Sequence, residues 1–154
     1  MHSVVDTLKK DFPELGFISD TSFYWSPENR SIYYDSTDGS LEAIWKLLHE
    51  TSHGLLRHES YATDFDLLLL EVAAWQKAAK LGDHYGFSVD EEHIEDCLDS
   101  YRDWLHARST CPACLANGLQ TSKSRYECLN CPTTWQISRS RFCRAYRRSM
   151  AAKQ

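Results

Sequence analysis

The sequence predicts an α+β chain in two parts: a small domain of a β-hairpin plus helices, then a four-cysteine ribbon and a basic C-terminal helix. Three observations predict it. A run of β-formers precedes a helical segment carrying His49-Glu50-Thr51-Ser52-His53, and two C-x-x-C pairs stand at Cys111/Cys114 and Cys128/Cys131. The third is a change in charge. Residues 1–106 hold eight Lys/Arg against 21 Asp/Glu, and residues 107–154 hold nine against the single Glu127, so the net charge of −5 conceals two segments of opposite sign. The boundaries that follow are 1–107 for the first domain and 108–154 for the ribbon with its basic tail.

A chain of 154 residues, 42% hydrophobic, with five Trp, eight Tyr and six Phe, fits one core domain and a small appendage. The longest aliphatic run, Leu67 to Leu70, lies between Asp66 and Glu71, which excludes a bilayer span. The opening Met-His-Ser-Val-Val-Asp lacks the basic-then-apolar layout of a signal peptide, so a cytoplasmic location without a membrane partner is expected. In that compartment, paired cysteines read as metal ligands before they read as disulfides.

Along the chain, Ser3 with Asp6 marks a helix start, Val4, Val5 and Leu8 give its apolar stripe, and Pro13 ends it. Phe23-Tyr24-Trp25 and Ser31-Ile32-Tyr33-Tyr34 flank the turn residues Pro27-Glu28-Asn29, which predicts a hairpin with Tyr33 and Tyr34 on an edge strand. Ser40 caps a helix from Leu41 to about Leu56. Thr63 with Asp66 opens the next helix, and Gly82 is expected to end it. Ser88 with Glu91 opens a fourth, of about 17 residues, with Ile94, Cys97, Leu98, Tyr101 and Leu105 on one face and acids on the others. Cys97 reads as a buried core thiol.

His49 and His53 are four apart, so on a helix both imidazoles leave the same face and can share one Zn²⁺. Glu50 lies beside them. In this H-E-x-x-H pattern the metal lowers the pKa of its bound water from about 15.7 toward 7 and the glutamate takes the proton. A catalytic zinc has a third protein ligand. Glu71, a carboxylate beside the apolar stripe of the third helix, is the leading candidate, with His58 and His84 as alternatives. The longer pattern with a third histidine would need Gly at 56 and His at 59, where the chain has Leu56 and Glu59. An oxyanion stabiliser is expected among His58, Tyr61, His84 and Tyr85.

Cys111-Pro112-Ala113-Cys114 and Cys128-Leu129-Asn130-Cys131 are knuckles at the spacing that closes a tetrahedral Cys₄ zinc site, so two zinc ions per chain are expected, one catalytic and one structural. A redox pair is disfavoured because two knuckles occur and no βαβ unit surrounds them. Beyond the ribbon, Arg139, Arg141, Arg144, Arg147 and Arg148, interleaved with Phe142 and Tyr146, read as a helical basic tail able to contact DNA or RNA, or to dock on the acidic first domain.

The run Leu48-His49-Glu50-Thr51-Ser52-His53-Gly54-Leu55-Leu56, with Glu71-Val72-Ala73-Ala74-Trp75 after it, resembles the ImmA/IrrE group of small zinc peptidases over roughly residues 23–82. The resemblance implies a minimal gluzincin, zincin-like domain, with His49, His53 and Glu71 as ligands, Glu50 as base, and a protein substrate of regulatory kind. The order of an H-E-x-x-H domain before a Cys₄ ribbon resembles the SprT-like proteases, which work on DNA and use a third histidine. A non-enzymatic binding module with structural zinc sites is the remaining alternative.

Overall fold

A computed structural model describes residues 1–138 and the backbone of Arg147–Met150. It is α+β, with four helices and two small sheets. The order is α1 (His2–Asp11), β1 (Gly16–Asp20), β2 (Tyr24–Ser26), β3 (Ser31–Asp35), α2 (Leu41–Leu55), α3 (Asp64–Tyr85), α4 (Glu91–Ser109), β4 (Gly118–Ser122), β5 (Arg125–Cys128), β6 (Thr134–Ile137) and β7 (Arg147–Met150). Among the described residues no helix is long and apolar enough to cross a membrane. The chain packs as two compact units, residues 1–60 with 70–94 and residues 61–69 with 95–154. The division falls inside α3 and α4, whereas charge and cysteine spacing place it at 107–108.

In the first unit β2 and β3 form the expected antiparallel hairpin, with Tyr24 opposite Tyr33 and Ser26 opposite Ser31. The hairpin is not the whole sheet. β1 pairs parallel with the other side of β3, from Gly16 opposite Ser31 to Asp20 opposite Asp35, giving the order β1-β3-β2. The strand bearing Tyr33 and Tyr34 is therefore central, with Ser31, Ile32 and Tyr34 buried, and the edges are β1 and β2. This corrects the expectation of an edge at Tyr33 and Tyr34.

Helix α2 begins as its sequence dictates: Ser40 Oγ accepts the Ala43 N–H at 3.1 Å, and Asp38 Oδ1 accepts the N–H of Ser40 at 2.9 Å. It buries Ile44, Trp45, Leu47 and Leu48 together with His49, Thr51, Ser52 and His53. The two buried hydroxyls are satisfied within the helix, Thr51 on the Leu47 carbonyl and Ser52 on the Leu48 carbonyl, each at 2.7 Å. The C-terminus closes by a Schellman pair: His58 N–H donates to the His53 carbonyl at 3.0 Å and Arg57 N–H to that of Gly54 at 3.2 Å. Arg57 occupies the left-handed position with φ of 56°, where glycine is usual.

Helix α3 opens with the reciprocal Thr63/Asp66 box, at 2.9 and 3.1 Å. It runs past Gly82 to Tyr85, because the residue that can adopt the terminal left-handed conformation is Gly86, at φ of 78°. Phe87 N–H then returns to the Gly82 carbonyl at 2.8 Å. Helix α4 is capped by Asp90, whose Oδ1 accepts the Glu92 N–H at 3.1 Å, while Ser88 hydrogen-bonds Asp83 instead of forming the expected box. The start of α1 also differs, with Met1 at the cap position in place of Ser3. Cys97 is half-buried and not a core thiol.

The second unit carries a sheet of order β4-β5-β6-β7 around a small core of Cys111, Tyr126, Trp135 and Ile137. Tyr126 and Trp135 stack at 5.6 Å. Beside them lies a buried ion pair that sequence reading missed: Arg108 Nε donates to Asp64 Oδ2 at 2.6 Å, Tyr126 OH donates to the same oxygen at 2.7 Å, and Arg108 Nη1 reaches the Ser138 carbonyl at 2.6 Å. Burial and the Asp64 acceptor both push the Tyr126 phenol up from its ordinary value. Arg147 and Arg148 lie on β7, paired to Ile137 and Gln136, so this part of the tail is strand and not helix. Arg139, Arg141, Arg144 and Cys143 lie outside the described residues.

Candidate metal centres

Helical spacing on α2 brings two imidazoles together, and the second turn of α3 adds a carboxylate. His49 Nε2 lies 3.1 Å from His53 Nε2 and 3.2 Å from Glu71 Oε2, and His53 Nε2 lies 3.7 Å from Glu71 Oε1. Around a tetrahedral ion with bonds of about 2.0–2.1 Å, ligand atoms stand about 3.3 Å apart. The three spacings straddle that value. All three residues are buried, at 7, 9 and 6% exposure, which is costly for such groups without a cation to converge on. Burial alone would raise the Glu71 carboxyl, but hydrogen bonds from His49 and then His53 outweigh it and hold the group well below the usual carboxylate range. Glu71 is thus anionic and aimed at both imidazoles. The donor set suits zinc.

The walls of this centre are aromatic. His49 lies on Trp75, one turn beyond Glu71 on α3, with ring centroids 4.2 Å apart, and His93 meets Trp75 edge-on at 5.6 Å. His49 Nδ1 is buried and has no hydrogen-bond partner among the described residues.

The alternatives for the third member fall elsewhere. His58 Nδ1 lies 2.8 Å from His53 Nδ1, the nitrogen on the far side of the ring from Glu71, so His58 braces His53 from behind instead of joining the cluster. Burial, and after it the charge on His53, lowers the His58 pKa. His84 and Tyr85 sit in the last turn of α3, about 20 Å along the helix from Glu71 at 1.5 Å per residue. There Tyr85 OH donates to Asp11 Oδ2 at 2.7 Å. Neither can stabilise an oxyanion at His49 and His53. Tyr61 is exposed and belongs to the second unit.

Glu50 Oε2 accepts the main-chain N–H of Trp25 at 2.8 Å. That N–H therefore points off β2, away from β3, along the open edge of the sheet. Trp25 was not singled out by sequence. A cleft of about 290 Å³ beside it is lined by Trp25, Pro27, Arg30, Gly54, Arg57 and Glu59 among others.

In the second unit four thiols converge. Cys111 Sγ lies 3.8 Å from Cys131 Sγ, and Cys114 Sγ lies 3.5 Å from Cys128 Sγ. Zinc–sulfur bonds of about 2.3 Å imply edges near 3.8 Å. Each knuckle turns an amide onto its first sulfur, Ala113 N–H onto Cys111 at 3.4 Å and Asn130 N–H onto Cys128 at 3.3 Å. The Cys114 thiol is pulled down to about 6, first by the Ala116 amide and then by Asn130, a setting that favours thiolate.

Compared with protein-family models, curated proteins and solved structures, the chain matches none. The two four- and three-residue clusters, compatible with zinc, stand on their own chemistry.

Proposed function

We propose that the chain is a zinc-dependent endopeptidase with an ImmA/IrrE-like, zincin-type first domain and a Cys₄ zinc ribbon that brings it to its target. The observation that carries the reading is the convergence of His49 Nε2, His53 Nε2 and the Glu71 carboxylate, with Glu50 the residue next to His49 on α2. A glutamate in the third position supports the ImmA/IrrE-like ligand set over the three-histidine set of SprT-like enzymes. When bound, zinc supplies a Lewis acid that polarises a carbonyl and acidifies water.

The chain's own residues do the rest. Glu50 takes the proton from the attacking water and returns it to the leaving amine. The outward main chain of β2 at Trp25, whose N–H is taken by Glu50, leaves its carbonyl as an acceptor for an extended peptide, with β2 in the place first expected for Tyr33 and Tyr34. The substrate is a protein, of regulatory or nucleic-acid-bound kind, and the basic tail is the proposed contact with DNA or RNA. The test is Glu50→Gln. Both proteins should hold two zinc ions, and the variant should lose cleavage of unfolded casein, used as a general probe. Equal cleavage by the two would remove Glu50 from the role.

A further inference from the structure

Trp25 meets the surroundings of the first metal centre at three points. Its main-chain N–H holds Glu50, as described. Its indole Nε1–H donates to the main-chain carbonyl of His58 at 2.7 Å, across 33 residues of chain. Its ring lies over Gly54, where a Cβ would come within 3.0 Å of the ring carbon Cζ3, so the glycine one residue past His53 is what admits the indole. His58 stands just beyond the helix, after a left-handed Arg57. A residue in that position ordinarily faces solvent and moves. Here its carbonyl is held by the indole, and its Nδ1 meets His53 Nδ1 at 2.8 Å.

We propose that Trp25 is a positioning residue for the first metal centre: through its indole N–H it fixes His58, and through His58 it fixes the orientation of the His53 imidazole. The inference rests on the reading of His49, His53 and Glu71 as a zinc site. A ligand imidazole free to rotate must be ordered again each time a metal binds, and losing such an outer partner costs about 10–100-fold in affinity. Trp25 acts on that affinity without touching the metal ligands.

The experiment is a double-mutant cycle on the full chain, read as zinc affinity by competition with a chromophoric chelator. The first site is identified as the ion lost in His53→Ala. Trp25→Phe keeps an aromatic ring and the main-chain N–H, and removes the indole donor together with the fused ring that carries Cζ3. Trp25→Leu repeats the test with a different packing residue. His58→Ala should weaken the first site about 10–100-fold. Trp25→Phe and Trp25→Leu should each weaken it about three-fold or more, with zinc at the four cysteines unchanged, and either combined with His58→Ala should be no weaker than His58→Ala alone. Wild-type affinity in both Trp25 variants, or losses that multiply in the double variants, would overturn the proposal. A wild-type chain holding one zinc, unaffected by His53→Ala, defeats the zinc-site reading itself, and this inference with it.

Discussion

Asn in place of Asp64 leaves almost every atom where it was and removes one charge from a closed pocket. Asp64 is 3% exposed and Arg108 2%, and their contact at 2.6 Å is shared with the Tyr126 hydroxyl at 2.7 Å. An Asn oxygen can still accept from one of these donors, but its amide group would then face the second guanidinium nitrogen, now 3.4 Å from Asp64 Oδ1. The buried cation is left uncompensated, a loss of about 3–5 kcal/mol. Against a typical total of about 5–15 kcal/mol, that is a large fraction of the stability. Replacing both, Asp64→Leu with Arg108→Met, buries no ion and should cost less than either single change, giving a coupling of about 2 kcal/mol or more. Urea unfolding of the zinc-loaded wild type, Asp64→Leu, Arg108→Met and the double, followed by circular dichroism and fluorescence, measures all four corners, with Asp64→Asn run beside them. Singles costing under about 1 kcal/mol, or a double that equals their sum, would refute the reasoning.

Other consequences are as direct. Arg57→Gly relieves a left-handed L-residue at the end of α2 and should stabilise by about 1 kcal/mol, seen as a rise in Tm of about 2–4 °C. Burial and the Asp11 acceptor raise the Tyr85 phenol to about 12 from an ordinary 10.0, so its contribution to stability is complete below pH 10 and is lost as pH climbs through 12. Tyr85→Phe should flatten that alkaline limb in a pH series of thermal melts. Cys111→Ser should reduce zinc from two ions per chain to one by elemental analysis, the remaining ion being the one removed by His53→Ala.

The parts of the fold that were legible in the sequence are those that local chemistry specifies. Ser40 and the Thr63/Asp66 box set helix starts through contacts three residues long, and Pro27-Glu28-Asn29 turned the hairpin as expected. His49 and His53 could be paired because helical periodicity sends them to one face of α2, and Glu71 could be added because it is a carboxylate beside the apolar stripe of α3. β1 was missed because Gly16 and Asp20 are poor strand formers and its order comes from pairing with β3. Arg147 and Arg148 read as helical in isolation, but a partner strand, β6, decides otherwise. Gly82 and Gly86 compete to end α3, and only the backbone angles separate them. The ties of Trp25 to Glu50 and His58 span 25 and 33 residues, and the Asp64–Arg108 pair spans 44, so no window of sequence contains either.

The two ties made by Trp25 differ in what substitution can reach. The hold on Glu50 uses the main chain, so any residue but proline at position 25 can supply it. The hold on His58 uses the indole, and few side chains carry an N–H at that distance from the backbone. Genetic drift at this position would therefore leave the carboxylate anchored while freeing the imidazole. A library randomised at codon 25 separates the two contributions in one selection, because one is written in the backbone and the other in the side chain alone.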